Sequence, residues 1–297
     1  RAVSKPRAHI VDEVKTMVDA GVREVTLLGQ NVNSYGLDKR GRHGKDDEVD
    51  FAGLIHKVAA VEGLHRIRFT TSHPMDCSDA LIDAFATEPK LMPWFHLPIQ
   101  SGSERVLRMM RRRTVIDEYI SRIERLTEAR PDIAMSTDII VGFPGETDED
   151  FALTMDLLRR LRFSTIFAFM YSPRPGTAAA RIPDDVPLAV KKARLYELQA
   201  LQNQITADWL ASFEGQVMEV LFEGPSTQYA RGAASKSLAA RPIGGPPQLM
   251  GRTRHNVKVN VETTDFYALR DWPGKRAMVK IDTVNRHSLN GSLVEFV

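Results

Sequence analysis

The sequence predicts an α/β fold, a partial parallel (β/α) barrel, followed by a small all-β barrel domain. Between residues 1 and 213, apolar strand patterns alternate with helix patterns at least five times. Several of these strands are almost continuously apolar, as parallel strands buried on both faces are. After Glu214 the helix patterns stop and short alternating strands follow. We therefore expect two domains, 1–213 and 214–297, of which the second is all-β.

The elements of the α/β region follow from the spacing of apolar residues. Helices are predicted around 8–20, 51–58, 81–85, 102–111, 115–129 and 147–158, and parallel strands near 24–29, 66–71, 94–97, 133–140 and 165–170. Thr147 and Asp150 resemble a capping box. Val25, Leu27 and Leu28 are expected in the core, and a long helix runs from Pro187 to about residue 213.

The all-β region shows alternating strands without helix patterns between them. The strands are GQVMEVLFEGP, HNVKVNVET, RAMVKIDTV and GSLVEFV. An insert at 226–252, rich in Gly, Pro, Ala and Ser, separates the first two and predicts a long mobile loop. Residues 214–297 hold 11 of the 40 Lys and Arg residues and 8 of the 38 Asp and Glu residues. This basic excess is mild and does not by itself establish a nucleic-acid partner.

Composition narrows the class of protein. The 297 residues are 43% hydrophobic and 26% charged, which is typical of a soluble globular protein. No apolar run approaches the ~18 residues of a membrane span. The single cysteine, Cys77, excludes an internal disulfide and fits a reducing cytoplasm. It also excludes a cysteine-ligated zinc or iron–sulfur site made by this chain alone.

Polar residues collect where the predicted parallel strands end. They are Gln30, Asn31 and Asn33, then Thr71, Ser72 and His73, then His96, Gln100 and Ser101, then Asp138 with Gly142 to Glu146, and finally Tyr171, Ser172 and Arg174. Each cluster alone has a structural explanation as a turn, a helix cap or an ion pair. Five clusters at the same end of five parallel strands favour a binding site, because parallel barrels build their sites there. The uncharged first cluster suits a polar organic ligand such as an amino acid or nucleoside, and no P-loop is present.

A run rich in arginine covers the end of the predicted helix 102–111 and the residues that follow it. RVLRMMRRR contains Arg105, Arg108, Arg111, Arg112 and Arg113. A solvated helix end explains the run, because positive charge suits the helix C-terminus. A patch that contacts phosphates is the other interpretation. Taken alone, the run favours the interpretation as a solvated helix end.

Taken together, the motifs resemble those of a known family. The segments LLGQNVNSYG, TSHP, HLPIQSGSERVLRMMRR, STDIIVGFPGETDEDF and YSPRPGTAAA occur in this order. They are similar to the radical S-adenosylmethionine (SAM) methylthiotransferases, and GQNVNSYG most resembles the branch that acts on tRNA. The C-terminal region resembles the TRAM domain, an OB-like RNA-binding barrel. The resemblance covers essentially the whole chain.

The resemblance implies an activity and its cofactors. The activity is methylthiolation of carbon 2 of an isopentenylated adenosine beside the anticodon. The cofactors are SAM and two 4Fe–4S clusters. In this family, three cysteines of an N-terminal domain hold one cluster, and a CxxxCxxC motif holds the other. None of these cysteines is in this chain, which starts with a stretch resembling the one after CxxxCxxC. We therefore expect a fragment that binds no iron and is itself inactive, with cluster ligands in the parent protein.

The resemblance also implies roles for the polar strand ends. Gln30, Asn31 and Asn33 would hold the amino-acid end of SAM, and Gln100 and Ser101 would face its ribose or carboxylate. The remaining SAM-binding residues would be Asp138, Gly142, Phe143, Tyr171 and Arg174. Gly142 and Phe143 would let the backbone approach the adenine, and Arg174 is an alternative carboxylate clamp. The sequence indicates no catalytic acid or base.

The implied partner is the anticodon stem-loop of tRNA. The RNA contacts are predicted at Arg112, Arg252, Arg254 and Lys258, and the protein is predicted to be a cytoplasmic monomer. Two alternatives remain open. One is the branch of the family that methylthiolates an aspartate of a ribosomal protein. The other is a cluster-free RNA-binding module in which the (β/α) barrel is only a scaffold.

Overall fold

A computed structural model describes residues 3–37, 50–227, 229, 246–265 and 267–297. The chain divides into two compact units, Arg1–Thr206 and Ala207–Val297. The boundary that we predicted between residues 213 and 214 falls inside the second unit. The described part of the chain contains no helix that is long and apolar enough to cross a membrane.

The first unit alternates strands and helices as the sequence predicts. Its elements are α1 (Arg7–Asp19), β1 (Glu24–Leu27), α2 (Phe51–Ala59), β2 (Arg66–Phe69), α3 (Asp79–Thr87), β3 (Trp94–His96), α4 (Glu104–Met109), α5 (Ile116–Ala129), β4 (Ala134–Val141), α6 (Asp148–Leu161), β5 (Thr165–Met170) and α7 (Leu188–Ala211), which runs on into the second unit. Side-chain caps define several helix starts, and the predicted capping box of Thr147 and Asp150 is confirmed at α6.

The strands of the first unit are parallel and follow chain order. β1 pairs with β2, and β3, β4 and β5 form a second parallel group. A parallel bridge between Ile67 and Leu91 joins the two groups next to β3. In the described residues β1 does not pair with β5, so the sheet stays open. The prediction of a partial parallel (β/α) barrel is confirmed.

The core of the first unit lies between the strands and the helices. Phe69 packs against Phe51, Phe85 and Phe95, with ring centroids 4.9–5.7 Å apart. The alternate side chains form the opposite side of the sheet, which we call the inner face. The prediction that Leu28 is a core residue was wrong. Leu28 comes directly after the last residue of β1, its side chain points away from the core, and it is 72% exposed.

The second unit is a small barrel. Its elements are β6 (Val217–Pro225), β7 (Gln248–Thr253), β8 (Lys258–Glu262), the short α8 (Ala268–Asp271), β9 (Arg276–Val284) and β10 (Leu289–Phe296). The described strands close in the order β10-β8-β7-β6-β9, and every pair is antiparallel except β8 with β10. The predicted all-β barrel is confirmed.

The insert at 226–252 is not a loop throughout. Its last residues form β7, in which buried and half-buried side chains alternate. The prediction of one long mobile loop was wrong there, because Leu249, Gly251 and Thr253 face the barrel core. Residues 228 and 230–245 of the insert lie outside the described residues.

Candidate active site

A cavity of about 690 Å³ lies beyond the carboxyl ends of β4 and β5. Six of the residues that were predicted to bind SAM or RNA line it, namely Gln100, Arg112, Asp138, Phe143, Tyr171 and Arg174. We call it the strand-end cavity. Its position is the one where parallel (β/α) barrels build their sites. Its lining combines aromatic, amide, carboxylate and guanidinium groups, so it suits a ligand that is partly apolar and partly charged.

Asp138 is the carboxylate of this cavity. It lies on the inner face of β4, and its Oδ1 is 3.5 Å from Nε2 of His96 on β3. The other ring nitrogen of His96, Nδ1, is 3.0 Å from the Ser136 hydroxyl. Burial lowers the pKa of His96, while Asp138 opposes that shift. The imidazole is therefore neutral near pH 7.

Two residues that line the cavity have a left-handed backbone. Gln100 has φ 78° and Arg111 has φ 60°, and neither is glycine. Gln100 forms a parallel bridge with Ile139 on one edge of β4, since its N–H donates to Asp138 O and its carbonyl accepts from Ile140 N–H, each at 2.9 Å. Such conformations cost about 1–3 kcal/mol and cluster at functional sites. Because Arg111 lies in the turn that ends α4, the strain at Gln100 is the one that supports the assignment of the cavity as a site.

Arg112 reaches the cavity because of the turn that ends α4. Arg111 adopts the left-handed conformation, and Arg112 N–H then donates to Leu107 O at 2.8 Å, which is a typical helix-ending turn. Burial lowers the pKa of the Arg112 guanidinium, and Asp138 raises it. No described carboxylate forms an ion pair with it. A half-buried guanidinium with unused donors is suited to bind a carboxylate or phosphate.

The GFPGE turn shapes one wall of the cavity. Gly142 has φ 70°, and its N–H donates to the Glu146 carboxylate at 2.7 Å; Arg194 also donates to this carboxylate, at 2.7 Å. The stem of Lys191 covers Gly142, where an added Cβ would lie 2.3 Å from Lys191 Cγ. The resemblance implied that an adenine approaches Gly142, but in this structure Lys191 occupies that space.

Phe143 and Tyr171 form the aromatic part of the wall. Their rings meet edge to face with centroids 5.0 Å apart. The Lys191 ammonium lies 5.2 Å from the centre of the Tyr171 ring and is paired with Asp184. These contacts hold Tyr171 in place at the end of β5. The half-buried Tyr171 ring, supported by the buried Phe143, offers apolar surface to a planar ligand.

The first polar cluster does not reach the strand-end cavity. Gln30 and Asn31 line a separate groove of about 460 Å³ beside β1 and α1. Asn33 is buried, and its side chain both donates to His73 O at 2.8 Å and accepts from His73 N–H at 2.7 Å. Asn33 thus ties the loop after β1 to the loop after β2. The structure therefore separates residues that the resemblance placed on one ligand.

Ser101 is also used by the fold. It is fully buried, and its hydroxyl accepts from Ser103 N–H at 3.2 Å and lies 3.4 Å from the Thr154 hydroxyl. Thr154 in turn accepts from Gly102 N–H at 2.9 Å. These contacts anchor the end of β3 to α6. They leave Gln100, rather than Ser101, at the cavity.

Three predicted RNA contacts come together in the second unit. Arg252 and Lys258 are directly opposite each other on β7 and β8, and Arg254 lies in the turn that joins these strands. Arg252 pairs with Glu223, whose Oε1 is 3.0 Å from the guanidinium Nε, and this reduces the local positive charge. The fourth predicted RNA contact, Arg112, lies instead in the strand-end cavity.

The described residues include no group of three His, Cys, Asp or Glu side chains that could hold a metal ion. Cys77, the one cysteine of the sequence, is buried, and burial raises the pKa of its thiol to about 11. A buried neutral thiol is a poor metal ligand. The residues of this chain therefore do not fit a 4Fe–4S cluster, which is held by several thiolates.

Comparisons with known proteins give a consistent result. The model of the radical SAM superfamily matches residues 1–158. A tRNA-2-methylthio-N(6)-dimethylallyladenosine synthase from Syntrophotalea carbinolica is 46% identical over 294 residues, 99% of this chain and 61% of the relative. A protein of the same name from Coxiella burnetii is 45% identical over 98% of this chain and 61% of the relative. The chain thus spans about three fifths of the curated relatives it matches.

The solved structures give a weaker match. Coproporphyrinogen III oxidase (HemN) from Escherichia coli aligns with 69% of this chain and 48% of its own at 19% identity, with a TM-score of 0.47.

Proposed function

From the premise that this chain belongs to the radical SAM superfamily, we propose that it is part of an enzyme that methylthiolates carbon 2 of an N6-dimethylallylated adenosine in tRNA. The observation that carries the proposal is the 46% identity to a synthase of that name over 99% of the chain. The strand-end cavity supports it, because its lining fits SAM. The chain spans only part of such relatives, so the activity is proposed for the whole protein.

The fit to SAM rests on complementary charge. Arg112 has free donors for the carboxylate of SAM, and Asp138 offers a carboxylate to its ammonium group. Gln100 supplies an amide beside them, and Tyr171, backed by the buried Phe143, supplies apolar surface for the adenine ring. Arg174 is a second donor for the carboxylate. We thus place Arg112 on the cofactor, although the sequence interpretation grouped it with the RNA contacts.

SAM, when bound, supplies the methyl group and, beside a reducing iron–sulfur cluster, the means to activate an unreactive C–H bond. This chain does not itself hold such a cluster, so the two clusters that the resemblance implies would need ligands outside residues 1–297. The residues of the strand-end cavity bind and orient. The neutral His96 beside Asp138 holds this carboxylate toward the cavity.

The second unit supports a tRNA partner. The pairing of Arg252 with Lys258 and the adjacent Arg254 place three cations on one hairpin, which suits phosphate contacts. We propose that this barrel is a TRAM-like module that binds the anticodon stem-loop. We also propose that the protein acts as a monomer in the cytoplasm, where its tRNA substrate is.

The test uses a bacterial strain whose tRNA lacks the methylthio group. The complete protein that contains this chain is expressed there, and the nucleosides of digested tRNA are separated and weighed by mass spectrometry. Methylthiolated dimethylallyladenosine should appear with the intact protein and should be clearly reduced with Arg112→Ala, while Arg108→Ala, an exposed neighbour on α4, should behave like the intact protein. Unmodified tRNA with a methylthiolated ribosomal-protein aspartate would instead identify the other branch of the family.

A further inference from the structure

Two exposed phenylalanines lie side by side on the inner face of β5. Phe167 is 47% exposed and Phe169 is 54% exposed. Every other phenylalanine of the described first unit is buried; these are Phe51, Phe69, Phe85, Phe95, Phe143, Phe151 and Phe163. The core of this unit thus accommodates phenylalanine, and Phe167 and Phe169 are the two that are not part of it. Exposed aromatic surface of this kind marks a binding site more often than a structural need.

The neighbours of the two rings extend the aromatic surface. The Phe167 ring meets the His96 imidazole edge to face with centroids 5.6 Å apart, and the Trp94 ring is nearly parallel to the imidazole, at an angle of 12° with centroids 6.4 Å apart. Phe169 lines the strand-end cavity. A row of rings therefore runs along the inner face from β3 to the proposed cofactor site.

The polar groups beside the row limit what can bind there. In the register of β4 and β5, Asp138 lies opposite Phe167 and Ile140 lies opposite Phe169. A carboxylate at this place repels phosphate, so the sugar–phosphate backbone is a poor occupant. A planar base with a hydrocarbon substituent suits it well, because the ring and the hydrocarbon cover the aromatic side chains and an exocyclic N–H can donate to the carboxylate.

We propose that Phe167 and Phe169 receive the ring and the dimethylallyl group of the target adenosine, and so select the prenylated base over unmodified adenosine. This inference rests on the proposed function and adds to it the residues that determine specificity. The surface adjoins the proposed SAM site through Phe169, as a substrate of a SAM-dependent reaction requires. Burial of a five-carbon apolar group gives a preference of about tenfold or more.

The test compares two anticodon stem-loop RNAs that differ only in the dimethylallyl group. Binding to the full chain is measured by fluorescence anisotropy. The intact protein should prefer the prenylated RNA by about tenfold. The Phe167→Ala/Phe169→Ala variant should reduce this preference to below about twofold, because it weakens binding of the prenylated RNA more than binding of the RNA without the dimethylallyl group. Phe169→Leu should retain most of the preference, because leucine keeps the site apolar.

A matched control is Leu153→Ala, which removes an apolar side chain that is 52% exposed on α6 of the same unit. It should leave the preference intact. Because both phenylalanines are exposed, their removal should not lower the thermal unfolding midpoint. Equal affinity of the intact chain for the two RNAs, or a preference that survives the double substitution, would overturn the inference and leave the proposed tRNA function standing.

Free nucleosides separate the two proposals. If neither RNA binds, the proposed tRNA function fails for this chain, and N6-dimethylallyladenosine and adenosine are compared by saturation-transfer NMR. A stronger signal for the prenylated nucleoside that disappears in Phe167→Ala/Phe169→Ala supports the assignment of the surface. Equal signals, or a difference that the substitutions do not change, overturn it.

Discussion

On β5 of the first unit, the side chains of the inner face, Phe167 and Phe169 among them, are exposed. In the second unit, the inward side chains of the strands, such as Val259 and Val279, are fully buried. Both units contain five described strands, and the difference lies in closure. The five strands of the barrel pair all the way round, whereas β1 and β5 remain unpaired with each other. A closed small barrel must fill its interior with apolar side chains, and an open one can turn the same face into a binding surface.

The position of a residue on a strand does not by itself decide its role. Asp138 and Val259 both point to the inside of a curved sheet. Asp138 is a partly exposed carboxylate at the strand-end cavity, and Val259 is a core residue of the barrel. Substitutions on the two inner faces should therefore have opposite consequences, for stability in one unit and for ligand binding in the other.

The largest effect is expected for Val259→Asp. An unpaired carboxylate inside the barrel should cost about 3 kcal/mol or more and unfold the second unit. Urea unfolding followed by the fluorescence of Trp272, which packs on Phe222, measures it. Val294→Asp, at an exposed position of β10, should shift stability by less than about 0.5 kcal/mol. An unchanged midpoint for Val259→Asp would show that the barrel interior tolerates charge.

A smaller loss is expected for Asp150→Asn, in the helical layer of the first unit. Burial raises the pKa of Asp150, but hydrogen bonds from Arg105, Ser103 and Thr147 outweigh this and hold the pKa well below its usual range. The substitution should cost about 1–3 kcal/mol at neutral pH. Asp156→Asn, an exposed position of the same helix, is the control.

The pH dependence of this loss follows from the sign of the shift. A carboxyl whose pKa is lower in the folded state stabilises the fold above its unfolded pKa of about 3.9, and this stabilisation is lost as the pH falls. The difference in stability between the intact chain and Asp150→Asn should therefore shrink below about pH 4. A difference that stays constant down to pH ~2 would mean that the charge of Asp150 is not responsible.

The smallest free-energy change is expected for Arg112→Ala, at the strand-end cavity. It should weaken SAM binding to the full chain about tenfold, or about 1.4 kcal/mol, in isothermal titration calorimetry. Stability should be unchanged or slightly higher, because no described carboxylate pairs with this half-buried charge. Arg108→Ala should bind SAM as the intact chain does. If Arg112→Ala lowers stability but leaves SAM affinity unchanged, Arg112 has a structural role and does not bind SAM.

Much of the fold could be predicted from sequence because apolar periodicity reports which side of an element is buried. That signal located every described strand of the first unit, and the polar pair Thr147 and Asp150 located the capping box of α6. It failed for β7, whose six residues follow a Gly- and Pro-rich stretch that reads as loop. It also failed for Leu28, where the apolar run continues one residue beyond the buried strand.

The candidate site was only partly predictable. The sequence indicated that polar residues follow the strands, but it carries no information on which strand ends converge around an open barrel. Gln30 and Asn31 therefore lie at another groove than Gln100. The position of Arg112 depends on the left-handed turn at Arg111, and an arginine gives no sequence signal for that conformation. Exposure of Phe167 and Phe169 likewise depends on whether the barrel closes.

The contact between Lys191 and Gly142 has a consequence for how this sequence can diverge. A side chain at position 142 meets both the stem of Lys191 and an unfavourable φ of 70°. Lys191 in turn supports the Tyr171 ring. The three positions therefore form an epistatic set, in which the order of substitutions matters. A lineage that shortens residue 191 first meets only the backbone strain when alanine later enters at 142, whereas the reverse order passes through an intermediate that has both this strain and a steric clash with Lys191.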